Sequence, residues 1–301
     1  MVFYFTGTGN SLYVAKQLDE TRISIPQVIH LEELTFEEES IGVVCPVYGH
    51  EMPGMVKEFL QKARFKTDYF YLVLTYGNIH GGAAELAEQF LASCGKKADY
   101  INTVLMVDNF LPAFDMEEQL ASEPGKKAEE HIAAIKADID SRRKYRQPVT
   151  EKDRSWHRVF LERSAGASEG QRRSLYRITE ECIGCGVCTR VCPAGCIRLE
   201  NQMAVNTGEN CQVCMACIHH CPENAIRLTI PEKNPDARYH NGHIRLTEIV
   251  AANDQGITVS AAHLLMKNLG GNDHGFYNTE QWRKDAPGGI RRVPGPRPRS
   301  L

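Results

Sequence analysis

Long apolar runs are missing from this sequence. Its longest apolar stretches, near residues 69–75 and 104–107, fall well short of the roughly 20 residues that a membrane-spanning helix requires. A basic n-region leading into an apolar stretch and a small-residue cleavage site is also missing, so we expect a soluble cytoplasmic chain without a secretory leader. Charge of either sign is barely in excess: 35 Lys and Arg stand against 38 Asp and Glu, a net charge of −3. Nucleic-acid-binding surfaces usually carry a strong basic excess, and no stacking-and-groove module accompanies the basic residues here, so nucleic acid is not expected as a partner. Tryptophan is scarce, with two in 301 residues.

Cysteine, by contrast, is plentiful. Of eleven, nine fall between Cys182 and Cys221, while Cys45 and Cys94 stand alone. A disulfide scaffold spreads its cysteines to close loops and belongs to an oxidising compartment, so dense clustering in a leaderless chain points to metal. The first run places Cys182, Cys185, Cys188 and Cys192 before Pro193; the second places Cys211, Cys214, Cys217 and Cys221 before Pro222. Both follow the bacterial C-x2-C-x2-C-x3-C-P pattern, in which the fourth cysteine of each run serves the other cluster. The expected ligand sets for two [4Fe-4S] clusters are therefore Cys182, Cys185, Cys188 and Cys221 for cluster one, and Cys211, Cys214, Cys217 and Cys192 for cluster two. Structural zinc also uses close cysteine pairs, but two interleaved runs of four suit it poorly. Cys196 is left over, either a small buried side chain or a spare ligand. Apolar residues resume after both Cys-Pro steps, at Ile197 and Leu199 and again at Ile226 and Leu228, as expected of two related half-modules packed on each other.

Residues 1–145 alternate between strand and helix patterns. Strands are expected at residues 2–5, weakly at 27–31, and at 41–46, 69–75 and 100–107. Helical spacing appears in Leu12, Ala15 and Leu18, in Val56, Phe59 and Leu60 after Pro53, over 83–91, and over 124–145. Strands lacking polar alternation and separated by helices imply an α/β fold, a doubly wound parallel sheet covered on both faces. Residues 146–175 read as a linker with a helix around 155–161. The cysteine module occupies 176–230 and is expected to be a second, α+β domain. A C-terminal extension over 231–286, with a hairpin and a helix at 260–269, precedes a disordered tail at 287–301 rich in Gly, Pro and Arg.

The first strand ends in Thr6, Gly7, Thr8, Gly9, Asn10 and Ser11, a loop that offers backbone N–H groups, hydroxyls and a helix N-terminus to a phosphate. It is not the G-x-G-x-x-G fingerprint, and Lys16 lies too far along for a triphosphate loop. Neutral hydroxyl donors suit a monophosphate, and FMN carries one. Pro46, Val47, Tyr48 and Gly49 follow the third strand, and Thr75, Tyr76, Gly77 and Asn78 the fourth. In a doubly wound sheet these loops meet outside the carboxyl ends of the strands. Tyr48 and Tyr76 would flank an isoalloxazine ring, with Gly81 and Gly82 allowing close approach. His50, Glu51 and His80 are candidate proton handlers beside it, and His219 a candidate tuner of cluster potential.

These motifs together resemble a family of bacterial and archaeal flavodoxin-ferredoxin fusion proteins. Residues 1–145 look like a flavodoxin-like domain and 176–230 like a bacterial two-cluster ferredoxin. The resemblance extends to Arg238, Tyr239, His240 and Asn241. It implies FMN on Thr6 to Ser11 and on the two later loops, with residues 108–112, including Asn109, bordering the flavin. The flavin-facing loops depart from many flavodoxins in lacking tryptophan. The implied function is electron transfer between the two clusters and FMN, linking a redox partner protein or small electron carrier to a flavin. Two alternatives stay open: an FMN-dependent reductase fed by the clusters, and an iron-sulfur interaction protein with a degenerate flavin site. Arg142, Arg143, Lys144, Arg146, Arg172 and Arg173 could dock an acidic partner or form a solvated face. The sequence leaves open a homodimer.

Overall fold

A computed structural model of the chain describes residues 1–164, 175–208 and 210–255. Its organising element is a six-stranded sheet made of β1 (Val2–Tyr4), β2 (Arg22–Ser24), β4 (Ser40–Pro46), β6 (Tyr69–Tyr76), β7 (Tyr100–Leu105) and β8 (Tyr145–Arg146), in the order β2-β1-β4-β6-β7-β8. Every neighbouring pair is parallel. The central strands β4 and β6 are buried along nearly their whole length, as a sheet covered on both faces demands. The chain runs outward from β1 to β2 and then returns past β1 to β4. Right-handed crossovers therefore set α1 (Asn10–Leu18) and α3 (Gly54–Lys62) on opposite faces and open a crevice at the carboxyl ends of β1 and β4. This is the parallel α/β arrangement of a flavodoxin-like fold.

Aromatic packing fills one face. Phe3 meets Phe36 at 4.5 Å and Phe59 at 4.9 Å between ring centroids, and Phe65 meets Phe70 at 5.0 Å. Phe36 and Phe65 come from a small parallel pair, β3 (Thr35–Glu37) and β5 (Arg64–Lys66), that the sequence pattern did not signal. Gly42 lets Tyr71 lie across β4, because a Cβ there would stand 2.1 Å from the Tyr71 ring.

Two expectations shift. The weak second strand is not at 27–31 but at β2, and Ile25–Val28 is a helical turn, α2, with Pro26 at its start. Proline is preorganised for a first helical turn, whereas the apolar run Val28, Ile29 and Leu31 merely imitates a strand. The surface helix expected over 124–145 is instead α6 (Ala128–Asp140), which follows α5 (Met116–Ser122), a 3-10 turn at Glu123–Lys126 and a left-handed Lys127 (φ 50°). The chain beyond it adds β8 to the sheet edge, and α7 (Glu151–Ser164) exceeds the short helix expected at 155–161.

The cysteine-rich region is α+β. Two antiparallel pairs, β9 (Tyr176–Ile178) with β12 (Ile226–Leu228) and β10 (Ile197–Glu200) with β11 (Met203–Asn206), surround two short helices, Val187–Val191 and Ala216–His219. Residues 231–245 hold no strand among the described residues, and a helix follows at Leu246–Asn253. The helix expected at 260–269, the tail after 287, most of the small-polar stretch 164–170, and Arg172 and Arg173 lie outside the described residues. All described residues belong to one body. Val107, Leu111 and Met116, at the end of the sheet, share a buried core with Tyr176, Ile218 and Tyr239. Among the described residues no helix is long and apolar enough to cross a membrane.

Candidate functional site

The cysteines gather around two cavities. Cys182, Cys185, Cys188 and Cys221 line the first, of about 340 Å³ including its mouth, together with Ile183, Val187, Leu199 and Ala204. Cys192, Cys211, Cys214 and Cys217 line the second, of about 320 Å³, together with Tyr176, Ile197 and Met215. The fourth cysteine of each run thus crosses to the cavity of the other run. Among the described residues no three His, Cys, Asp or Glu side chains close on a point as ligands of one metal ion do. Thiols that stand back around a walled space suit a cluster, whose four irons hold their ligands farther apart than a single ion would. Backbone N–H groups already aim at sulfur: Ala204 N donates to Cys182 Sγ at 3.4 Å and Ala225 N to Cys221 Sγ at 3.2 Å.

Backbone conformation repeats with the sequence. Gly184 and Gly186 have φ of 67° and 73°, and their equivalents Val213 and Met215 have 53° and 58°. Gly195 and Asn224 match likewise, at 60° and 49°. Each cysteine run therefore makes the same left-handed steps. Glycine meets this need in the first loop, whereas the second imposes it on larger residues.

A fifth thiol enters the second cavity. Cys196, buried, lines it too, with Sγ 3.3 Å from Cys192 Sγ. The contact lowers the Cys192 thiol and raises that of Cys196. Cys45 is buried inside β4 and lines neither cavity, and Cys94 lies at the end of α4 (Ala83–Ser93) beside Ser93.

The Thr6–Ser11 loop sits at the crevice, and the expected neighbours come to it. Ser11 Oγ and Thr75 Oγ1 are 2.8 Å apart, Asn109 Nδ2 donates to Thr8 Oγ1 at 2.5 Å, and Gly9 N donates to Thr6 Oγ1 at 3.1 Å. The backbone N–H groups of Gly7, Thr8, Asn10 and Ser11 have no hydrogen-bond partner among the described residues. Four such donors at the start of a nine-residue helix suit an anion with several acceptor oxygens, so the residues present fit a phosphate. The rim is built by the later loops. Val47 N continues the ladder to Thr75 O, and Tyr48 and Glu51 close a turn through Gly49 and His50. Lys126 Nζ donates to Gly77 O at 2.9 Å and to Met106 O at 2.7 Å, holding the third loop, and Asn78 is exposed. Tyr48 turns its ring edge-on to Phe5 and its phenol toward Gly7, and burial raises its pKa well above the usual tyrosine value. Tyr76 stands edge-on to His80.

This loop is also covered by segments far along the chain. Cys214 O would lie 2.8 Å from a Cβ on Gly7, so the second cysteine run rests directly on the Thr6–Ser11 loop. Asn241 N donates to Thr8 O at 2.8 Å, and Tyr239 Oη and Asn241 Nδ2 both donate to Asn10 Oδ1. Asn253 Nδ2 bridges Thr6 O and Val191 O at 2.9 and 3.1 Å. His219, inside the second ligand run, accepts from Tyr239 N at Nδ1, which leaves Nε2–H to donate to Asn109 O at 2.9 Å. Burial pushes its pKa down to about 3. This neutral ring ties three segments together. The only advance hint was the resemblance at residues 238–241.

Over the rim lies α7. Phe160 packs on Gly49 and beside the His50 ring, and His157 faces His50 at 5.7 Å. His80 Nε2 and Asp153 Oδ1 are 3.6 Å apart. The basic run on the other edge is already engaged: Arg142 with Glu39, Arg143 with Asp138, Lys144 with Asp99, and Arg146 with Glu88.

Residues 174–222 match the family described as the 4Fe-4S dicluster domain, so a ferredoxin-like dicluster domain is present. No curated protein matches the chain. Among solved structures, one described as the Trp repressor binding protein from Bacillus subtilis is similar at 11% identity and a TM-score of 0.28. That match covers 45% of this chain and 97% of the other.

Proposed function

We propose that this chain transfers electrons between two [4Fe-4S] clusters and FMN, linking an external one-electron carrier to a flavin. Cluster one would be held by Cys182, Cys185, Cys188 and Cys221, cluster two by Cys211, Cys214, Cys217 and Cys192, and the FMN phosphate by the N–H groups of Thr6 to Ser11. Clusters supply single-electron steps, and a flavin accepts one electron or two. The observation that carries this reading is the contact of Cys214 O with Gly7, which seats a cluster-two ligand against the phosphate loop with no intervening side chain. Tyr48, half-buried and with its pKa raised by desolvation, turns its phenol toward Gly7 at that junction. His219 holds Asn109, and Asn109 holds Thr8, so the geometry of the loop is fixed from the cluster side. Cys185 and Ile183, both exposed, put cluster one within reach of a partner.

A second reading has support from the seal on the loop. Asn241, Tyr239 and Asn253 engage Thr8, Asn10 and Thr6, as they would if the loop were a docking platform and its flavin use had lapsed. Anaerobic purification with iron, sulfide and FMN counted per chain, followed by stepwise reduction under visible and electron spin resonance spectroscopy, separates the two. The relay requires about eight irons and a stoichiometric flavin. Eight irons with no flavin retained or rebound would sink the FMN assignment and leave the docking platform.

A further inference from the structure

Cys196 occupies a place where the internal repeat asks only for alanine. Its counterpart, 29 residues on as Cys211 is from Cys182, is Ala225. Both are buried, at 4% and 1% exposure, and both lie four residues beyond the last cysteine of their run. Packing in this half-module is thus met by a methyl group, and the sulfur of Cys196 is an addition on one side only. It does not point into apolar filler. It lines the second cavity with Cys192, Cys211, Cys214 and Cys217, and it stands 3.3 Å from the sulfur of Cys192. The backbone of Cys196 is pinned, since its carbonyl accepts from both Thr207 N at 2.9 Å and Thr207 Oγ1 at 3.2 Å. Only the side chain has freedom to move, and rotation about Cα–Cβ is enough to redirect a cysteine sulfur.

We propose that Cys196 is a second, interchangeable ligand for the corner of cluster two assigned to Cys192, giving this cluster five thiols for four irons. The inference rests on the cluster assignment above. In the exchange, Cys196 releases its thiol proton and bonds iron, while Cys192 leaves iron and takes that proton across the sulfur–sulfur contact; no electron is gained or lost. Cluster one has no such reserve, because Ala225 offers no ligand. The arrangement makes cluster two the more durable centre, next to the phosphate loop, and leaves the exposed cluster one dependent on Cys221.

The test is anaerobic reconstitution of the full chain with iron and sulfide, read by iron count and by the electron spin resonance of the reduced protein. Wild type should hold about eight irons; a wild type that binds fewer overturns the cluster assignment itself. Given eight, Cys192→Ala should keep about eight with a changed resonance of cluster two, Cys196→Ala should also keep eight, and the double variant should fall to about four. Cys221→Ala should fall to about four by itself, and adding Ala225→Cys should restore the count. Cys192→Ala holding no more iron than the double variant would overturn the reserve ligand. Should Cys192→Ala fail to fold, the Ala225→Cys transplant decides: recovery of iron supports the proposal and none overturns it.

Discussion

Val213 is a β-branched residue at φ 53°, a conformation that costs about 1–2 kcal/mol in an L-residue and that its counterpart Gly184 adopts freely. Replacing Val213 with glycine removes that strain at the expense of a more flexible unfolded chain and a half-buried isopropyl group. The expected net result is a gain of about 0.5–1 kcal/mol in the iron-loaded protein. Gly184→Ala goes the other way. Its Cβ would stand 2.3 Å from the backbone oxygen of Gln202, which cannot turn aside as a side chain could. A loss of about 2 kcal/mol or more follows. Denaturant midpoints of the two loaded variants check this, and a Val213→Gly protein weaker than Gly184→Ala would refute the strain account. Left-handed strain of this kind is invisible in a cysteine pattern. The spacing marks which residues could bind iron, and the φ angles show what the loop demands of those in between.

At the scale of elements, α7 depends on a cluster of histidines. His50 sits beneath it, and its pKa is lowered by burial first and by His157 and His80 next. Its folded value therefore lies below the unfolded value of about 6.5, so its contribution is complete above pH 6.5 and fades as pH falls below it, where the undocked state takes up the proton. The carboxylates facing this cluster are Asp153, beside His80, and Glu51, beside His157 and Lys57. In a Trp282→Phe background, Trp156 on α7 is the only tryptophan and reports the docking. Its emission should change as pH drops below about 6.5, and His50→Asn, which tolerates the φ of 73° at this position, should flatten that response. An unchanged pH profile in His50→Asn would assign the effect elsewhere. The central strands were legible because parallel burial leaves an uninterrupted apolar run, as in β4 and β6. β2 was not, since three residues with a single apolar centre at Ile23 carry no period, and Val28 to Leu31 carry a false one. The full length of α7 was hidden for a related reason: none of its residues is buried, so its apolar face is too thin to mark its ends.

The whole molecule is held together where its two regions meet, and this junction was the least legible feature. The cysteine runs and the Thr6–Ser11 loop were each readable from local spacing. That one covers the other depends on Cys214, Asn241 and Asn253, three residues with no shared pattern and more than 200 positions from the loop they touch. The cysteine-rich region is small, and its core is lined by thiols around two cavities, so little apolar packing remains to hold it without its metal. Removing iron with a chelator under reducing conditions should therefore loosen residues 176–230 and with them the cover on the loop. Hydrogen exchange at the amides of Gly7 to Ser11 should speed up, while β4 and β6, buried in the sheet, keep their protection. Asn253→Asp should produce part of the same effect with iron still bound, because a carboxylate facing Thr6 O and Val191 O leaves two buried carbonyls without a donor, a loss of about 2–3 kcal/mol. Fast exchange at 182–221 with the loop still protected would show that the sheet domain seals its own Thr6–Ser11 loop. Deprotection of both together would mean that cluster occupancy governs access to the site where a flavin is proposed to bind, so that loading of one centre is coupled to loading of the other.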